Sequence, residues 1–402
     1  MNRKWYGLMI LLLVVAVAVV SFLSSQAVGS EPVFRTQNIF PLVDKHVHAS
    51  SIIECPNRDL LTCWFHGSGE RWADDVVIRG SRLKKGALEW STVFVMADTP
   101  GFPDCNPVLY IDRRERLWLF WIPVLAHRWE CSYLKYRRAE NYQGELAPEW
   151  SWQDIIHLKP GEDFGTTLKQ RFDELGLHDD MWGEYALPYR RMLIEAARDP
   201  YKRQTGWMTR IRPITLPSGR ILLPLYSDGF NVSLVAISDD DGENWRASLP
   251  IVGLGAVQPS LVRRKDGTVV AYLRDDGEAP KRVLMSMSKD DGESWSVALD
   301  IDIPNPGSSL SLISLKDGHW LMVCNDTERG RHRLSTLLSD DEGKTWKWKR
   351  QLEPSDKEGK TFAYPSVIQT RDGLIHITYS VFTDSGNSIR HCVINTEWIK
   401  GK

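Results

Sequence analysis

Several kinds of chemistry have no foothold in this sequence. It has no C-x-x-C pair, no glycine-rich nucleotide loop and no G-x-S-x-G elbow. Zinc ribbons, P-loop nucleotide chemistry and Ser-His-Asp hydrolysis on an α/β sheet are therefore unsupported. No charge of one sign dominates: 50 Lys and Arg face 52 Asp and Glu, for a net charge of −2. Nothing in that balance points to a nucleic-acid partner or to a disordered charged tail. Cysteine is sparse, with six at positions 55, 63, 105, 131, 324 and 392. An even number permits disulfides in an exported protein, and Cys55 and Cys63 flank one hairpin pattern across which they could pair. Two reduced, packed thiols are the equal alternative.

Long apolar runs are also missing, except at the start. "MNRKWYG" is basic, "LMILLLVVAVAVVSFL" follows without a charge, and "SSQAVGS" offers small residues for cleavage. Residues 1–29 read as an export signal. The alternative is an uncleaved anchor over residues 7–23, with Arg3 and Lys4 inside. Either reading puts the body, residues 30–400, outside the cytoplasm, in the periplasm or beyond the cell. That anchor is the only membrane contact expected.

What is abundant is tryptophan, 17 in all, and a repeated acidic octet. "SDDDGENW" at 238–245 returns as "SKDDGESW" at 288–295 and "SDDEGKTW" at 339–346. Ser and Asp side chains accept hydrogen bonds from turn amides, Gly takes a left-handed φ, and Trp packs sideways into the next layer. The twelve-residue spacing and closing Glu of a calcium loop are absent, so the octet reads as a folding device rather than a metal site. No cofactor is expected.

A hairpin pattern accompanies the octets: "HASSIIECPNRDLLTCW" (48–64), "NPVLYIDRRERLWLFW" (106–121), "RPITLPSGRILLPLY" (212–226), "QPSLVRRKDGTVVAYLR" (258–274), "SLISLKDGHWLMVCN" (311–325) and "YPSVIQTRDGLIHITYS" (364–380). S-G and D-G turns between alternating strands are hairpin signals. The turn glycines Gly219, Gly267, Gly318 and Gly373 recur about every 50 residues, the period of a β-propeller blade. Each octet lies between a third and a fourth strand. The predicted fold is all-β, a six-bladed β-propeller. Residues 164–206 break the period; Phe164, Leu168, Phe172 and Leu175 share one helical face, so about two helices are inserted between blades 2 and 3, more in keeping with outside packing than with a roof over the funnel. "EPVFRTQNIF" (31–40) should complete the last blade beside "SIRHCVINTEWI", closing the ring and removing its free edges.

S-x-D-x-G-x-x-W is the Asp box. With three full matches and the blade period, residues 40 to 400 resemble the sialidase (neuraminidase) superfamily, and look most like the bacterial sialidase-like BNR-repeat proteins. The resemblance implies a six-bladed propeller with its Asp boxes on the outer rim.

Propeller ligands bind in the axial funnel. Several first strands open with a polar residue followed by Pro, which should hold that residue extended. His48, Asn106, Arg212, Gln258 and Tyr364 are thereby predicted to ring one cavity. Arg274, at the end of a second strand, and Arg282 and Arg331, near third strands, join them. Guanidinium groups gathered in a funnel suit a carboxylate, which they bind bidentately.

The resemblance implies roles for these positions. Sialidases hold the sialate carboxylate with three Arg and use a Tyr nucleophile, a Glu that assists it and an Asp acid/base from a blade-1 loop. Tyr364 matches the nucleophile. Arg212, Arg282 and Arg331 would hold the carboxylate, and Asp75, with Asp74 and Glu70 as neighbours, would supply the acid/base from "HGSGERWADD". Two positions depart from the pattern: Gln258 stands where the assisting Glu falls, and His48 where the first Arg falls. The implied activity is sialidase-like hydrolysis of an acidic glycan. A funnel with His, Tyr and Arg also fits a uronate lyase, with His48 and Tyr364 as base and acid. A non-catalytic glycan-binding propeller would instead rely on Trp64, Trp72, Trp121 and Trp129 as stacking faces.

Overall fold

The computed structural model describes residues 31–178, 180–181, 183, 186–353 and 359–401. The leader over residues 1–29 lies outside them. Among the described residues no helix is long and apolar enough to cross a membrane.

Among the described residues, twenty-five strands form six antiparallel sheets. Strand β1 (Phe34–Asn38) is set aside by the chain and used last. Blade 1 contains β2 (His46–Glu54), β3 (Leu60–Gly67), β4 (Val77–Leu83) and β5 (Phe94–Ala97). Blade 2 contains β6 (Asp104–Ile111), β7 (Leu117–Pro123), β8 (Lys135–Ala139) and β9 (Trp152–Ile155). In blade 3 the first strand is split into β10 (Met208–Thr209) and β11 (Ile214–Thr215), followed by β12 (Ile221–Ser227), β13 (Val232–Ser238) and β14 (Arg246–Ala247). Blade 4 is built from β15 (Ala256–Arg263), β16 (Val269–Asp275), β17 (Arg282–Ser288) and β18 (Leu299–Pro304). Blade 5 is built from β19 (Ser311–Ser314), β20 (Trp320–Cys324), β21 (Leu334–Ser339) and β22 (Trp348–Glu353). Blade 6 takes β23 (Lys360–Gln369), β24 (Ile375–Thr383) and β25 (Gly386–Ile394), and β1 completes it. Phe34 pairs with Ile394 and Asn38 with Arg390, the closure expected from the sequence. Phe34 also stacks on Trp398 at 4.7 Å.

The three octets connect third to fourth strands, and their chemistry is local. In the first, Gly242 N donates to Ser238 Oγ at 2.8 Å and Asn244 N to Asp240 Oδ1 at 2.9 Å. The same pair of bonds recurs at Gly292 and Ser294, and at Gly343 and Thr345. Each turn then faces the preceding blade. Trp245 meets Trp118 and Phe120 of blade 2 edge-on, and Trp346 meets Tyr272 of blade 4. Trp295 is buried beside Leu222 of blade 3. The octets are interblade mortar.

Among its described residues the insertion holds three helices, where about two were expected: α1 (Asp163–Glu174), α2 (Leu187–Ala196) and α3 (Pro200–Gln204). Phe164, Leu168 and Phe172 are buried as their spacing predicts, with Phe164 edge-on to Trp207 and Phe230 at the seam of blades 2 and 3. Beyond α1, Asp180 and Met181 reach blade 4, where they line a cavity of 450 Å³ with Leu254, Asp275 and Glu278. All six cysteines are unpaired, so no bridge joins Cys55 to Cys63.

Candidate functional site

The site is built by a defect repeated in the first strands. Register slips between His48 and Ser51, Cys105 and Val108, Val257 and Ser260, and Ala363 and Ser366. At each bulge the first extra residue has a left-handed φ: Ala49 at 56°, Asn106 at 49°, Gln258 at 54° and Tyr364 at 57°. A bulge re-aims the side chain it carries, and a positive φ on a non-glycine residue stores strain typical of functional sites. Asn106, Gln258 and Tyr364, each before a proline, are therefore left-handed rather than extended, contrary to the expectation from the sequence.

This register corrects two positions. His48 precedes the bulge, and Ala49 is the true counterpart of Asn106, Gln258 and Tyr364. In blade 3, Thr209 pairs with Leu225 and Ile214 with Leu222, so the residue entering the bulge is Arg210. Arg212 is two residues on. It lines a separate cavity of 390 Å³ with Glu54, Tyr110 and Gln369, at the far ends of the first strands. The split strand places the proline three residues after Arg210 instead of one, which is why Pro213 misled the reading.

Tyr364 is the hub, 8% exposed. Its hydroxyl accepts from Arg274 Nη1 at 2.9 Å and from Gln258 Nε2 at 3.2 Å. The guanidinium carbons of Arg210 and Arg331 lie 4.8 and 5.4 Å from its ring centroid. His48 packs against the same ring at 4.1 Å, and its Nδ1 is 2.8 Å from Ser380 Oγ. Burial, followed by the neighbouring positive groups, holds the His48 pKa well below its usual value, so the imidazole is neutral. Asn106 is one step removed, donating through Nδ2 to the Tyr226 hydroxyl at 3.1 Å.

The carboxylates sort themselves. Asp75 accepts from Ser68 N at 2.8 Å and Oγ at 2.6 Å, and pairs with Lys45 at 3.1 Å. Those Ser68 bonds hold its pKa down at about 2. Asp74 pairs with His127 Nε2 at 2.9 Å. Both are spent outside the Tyr364 cluster. Glu70 differs: burial raises its pKa, while Arg71, Arg331 and Arg274 pull the other way. It is the blade-1 carboxyl that shares the field of the funnel arginines. Arg282 binds Glu328 at 2.7 Å on the rim and does not join Tyr364.

Four groups escaped the sequence reading: Arg210, Tyr226, Asp228 and Arg71. Asp228 stands in the turn between β12 and β13. Solvent reaches it, yet the surrounding protein raises its pKa to about 6, with Asp276 adding to the effect. An acidic residue in a second-to-third-strand turn was the available signal. Arg71 lies over Trp72 at 4.1 Å and Trp129 at 5.2 Å. Trp64 and Trp121 are fully buried and cannot stack on a sugar; Trp72 remains exposed. Among the described residues no His, Cys, Asp and Glu cluster is arranged to hold a metal.

A family model described as a BNR repeat-like domain matches residues 58–171 and 204–377. Solved structures are similar in fold across most of the chain. A protein of unknown function from Dyadobacter fermentans superposes with a TM-score of 0.66 at 14% identity, covering 90% of this chain and 99% of that one. The leech intramolecular trans-sialidase, solved with 2,7-anhydro-Neu5Ac, gives 0.64 at 13% identity, covering 94% and 72%. The sialidase of Trypanosoma rangeli, solved with the inhibitor DANA, gives 0.60 at 11% identity, covering 91% and 60%. No curated protein matches in sequence.

Proposed function

The chain belongs to the BNR repeat-like domain family, and from that premise we propose that its funnel hydrolyses terminal glycosidic bonds of a carboxylate-bearing sugar, in the manner of a sialidase. One observation carries the reading: the Tyr364 hydroxyl lies at the centre of a cationic cluster and accepts a hydrogen bond from Arg274. A phenol is a poor nucleophile until it loses its proton. Arg274 and Arg331 face the funnel from blades 4 and 5 and would grip the sugar carboxylate through charge-assisted bonds. That seats the anomeric carbon over Tyr364. Attack by the Tyr364 oxygen would form a glycosyl–tyrosine intermediate while Glu70, whose pKa burial raises, gives its proton to the departing oxygen. Glu70 would then take a proton from water as that water releases the sugar.

A second reading is favoured by two specific features. Gln258 cannot take a proton, and neutral His48 lies against Tyr364. In a uronate lyase, Arg274 and Arg331 would neutralise the carboxylate, His48 would abstract the α-proton, and Tyr364 would protonate the leaving oxygen.

Incubation of residues 30–402 with sialosides and uronic-acid oligosaccharides separates the two. A product heavier by one water supports hydrolysis. A newly ultraviolet-absorbing unsaturated product supports elimination. No product from any sugar, with saturable binding retained, would leave a glycan-binding propeller and end the enzymatic reading.

A further inference from the structure

Each octet closes the seam to the preceding blade, and its glycine shows how tightly. A Cβ on Gly242 would meet the Trp118 ring at 2.6 Å, one on Gly292 would meet Leu222 at 3.0 Å, and one on Gly343 would meet the Tyr272 hydroxyl closer still. The matching turn of blade 1, between β4 and β5, reads "LKKGALEW" over 83–90. It lacks the octet's Ser and Asp and puts Lys84 and Lys85 where the octets are acidic. A Cβ on Gly86 would have nothing within 4 Å. Trp90 still reaches blade 6, edge-on to His391 at 5.1 Å, but the turn itself stands away. The seam between blades 6 and 1 is left open as a cavity of 590 Å³.

The lining of that cavity combines apolar walls with unanswered positive charge. Leu60, Leu83, Leu374 and Val393 supply the walls, and Leu88 joins them while 82% exposed. Four cations line it as well: Arg35 from β1, Arg58 from the turn between β2 and β3, Lys84 and Lys85. Asp59 answers Lys84 at 3.3 Å. Among the described residues no carboxylate pairs with Arg35, Arg58 or Lys85. The two carboxylates of the lining are engaged by backbone amides, Asp372 Oδ1 by Leu374 N at 3.2 Å and Glu54 Oε2 by Arg371 N at 2.9 Å. His376 and His391 also line the cavity. Their mutual contact uses His376 Nδ1 and His391 Nε2, and His391 Nδ1 is buried with no hydrogen-bond partner.

Cations without counter-charges beside an apolar wall suit an anion carried on an apolar body. Two guanidinium groups and an ammonium can share the several oxygens of a tetrahedral oxyanion, whereas a single carboxylate would leave one of them idle. A leucine as exposed as Leu88 is surface that a ligand's tail would cover. No Trp, Tyr or Phe lines the cavity, so a sugar face has no ring to stack on. We propose that the seam between blades 6 and 1 is a second binding site, separate from the funnel, for a phosphate or sulfate monoester with an apolar tail. Arg35, Arg58 and Lys85 hold the oxyanion, and Leu83, Leu88 and Leu374 cover the tail. No bond is made or broken there. A phospholipid and a soluble alkyl ester share this chemistry.

Calorimetric titration of the full chain with hexyl phosphate and with methyl phosphate tests the proposal without any glycan. Hexyl phosphate should bind saturably and at least about tenfold tighter than methyl phosphate, because the cavity buries its methylenes. Arg58→Glu and Lys85→Glu, both on exposed turns, should each weaken it about tenfold. Leu88→Ser should narrow the gap between the two esters. Lys289→Glu makes the same change of charge on an exposed octet and should leave the affinity as it is, as should Arg331→Ala in the funnel. Dihexanoylphosphatidic acid separates the two sources: binding tighter than that of hexyl phosphate assigns the site to a phospholipid, and weaker binding assigns it to a single-chain ester. Equal affinity for hexyl and methyl phosphate overturns the proposal. So does the lack of saturable binding, or binding indifferent to both Arg58→Glu and Lys85→Glu. Loss of binding in Arg331→Ala would put the ligand in the funnel and overturn it too. Should either charge reversal fail to fold, Arg58→Gln and Lys85→Met remove the charge without adding its opposite.

Discussion

Arg274 Nη1 and the Tyr364 hydroxyl are joined by a 2.9 Å hydrogen bond although they come from different blades, one at the end of a second strand and one at a first-strand bulge. The bond couples the group that would bind a carboxylate to the group that would attack. Replacing Tyr364 by Phe should lower turnover by more than about a thousandfold while leaving glycan affinity nearly unchanged. Paired measurements of kcat and of equilibrium binding decide it, and retention of turnover would remove Tyr364 from the chemistry.

Glu70 and Asp75 make opposite forecasts. If Glu70 is the general acid, turnover falls as pH rises through its elevated pKa, because the proton it must donate is gone. Glu70→Gln should abolish that alkaline limb together with most of the rate. Asp75→Asn should keep the rate profile, since Asp75 only braces the loop through Ser68 and Lys45. A lost limb in Asp75→Asn would reverse the assignment.

The two half-buried funnel arginines, Arg274 and Arg331, should govern recognition of the acid group. Arg274→Ala or Arg331→Ala is expected to weaken kcat/KM for a carboxylated sugar by about 2 kcal/mol, some thirtyfold, and far less for the matching methyl ester. Arg282→Ala and Arg212→Ala should do neither. Rates on the acid and ester pair provide the check.

Glycines of similar φ differ in tolerance between an Asp box and a hairpin turn. Gly242 has φ +86°, and a Cβ there would meet the Trp118 ring at 2.6 Å. Gly373 has φ +91° with nothing within 4 Å. Gly242→Ala should therefore cost about 2–4 kcal/mol and Gly373→Ala about 1–2 kcal/mol. Equal falls in stability on thermal melting would deny the boxes their interblade role.

A buried imidazole pair predicts acid sensitivity. His376 Nδ1 and His391 Nε2 are 2.9 Å apart, and burial brings their pKa values down to about 4 and about 3. As pH falls below about 6.5, the unfolded chain binds protons that the folded pair refuses, so the fold loses stability until the folded values are reached. Asp104, Asp228 and Asp275, each raised to about 6, titrate with the opposite sign. The telling comparison is thus with the His376→Gln, His391→Gln double variant, which should lose less stability between pH 6.5 and 4 than the parent.

Local chemistry made the architecture readable in advance. The octets name their own hydrogen bonds, and Phe164, Leu168 and Phe172 mark their buried face. Pairing of the first and last strands followed from the need to hide sheet edges. Tyr364, Gln258, Arg274, Arg331 and His48 were also reachable, since they flank regular hairpins. Arg210 was not, because two residues were added where β10 and β11 part, and no residue type announces a longer bulge. Choosing Glu70 over Asp75 required knowing that Ser68 folds back on the latter. Position in a loop fixes reach only after the loop's own hydrogen bonds are known.

The pairing of β1 with β25 also sets an order of events. Val33 N donates to Asn395 Oδ1 at 2.9 Å across 362 positions of chain. The segment synthesised first must wait, single-stranded, for the segment synthesised last. Contacts of that span are slow to form, and an unpaired β25 edge is adhesive until they do. Blades 1 to 5 can assemble as the chain emerges. Until the final strand arrives, blade 6 has no partner to receive β1, and Tyr364, on its first strand, has no settled place beside His48. Tyr364 and its neighbours would come together only as the ring closes, so a chain shortened by β25 should be an open, sticky arc.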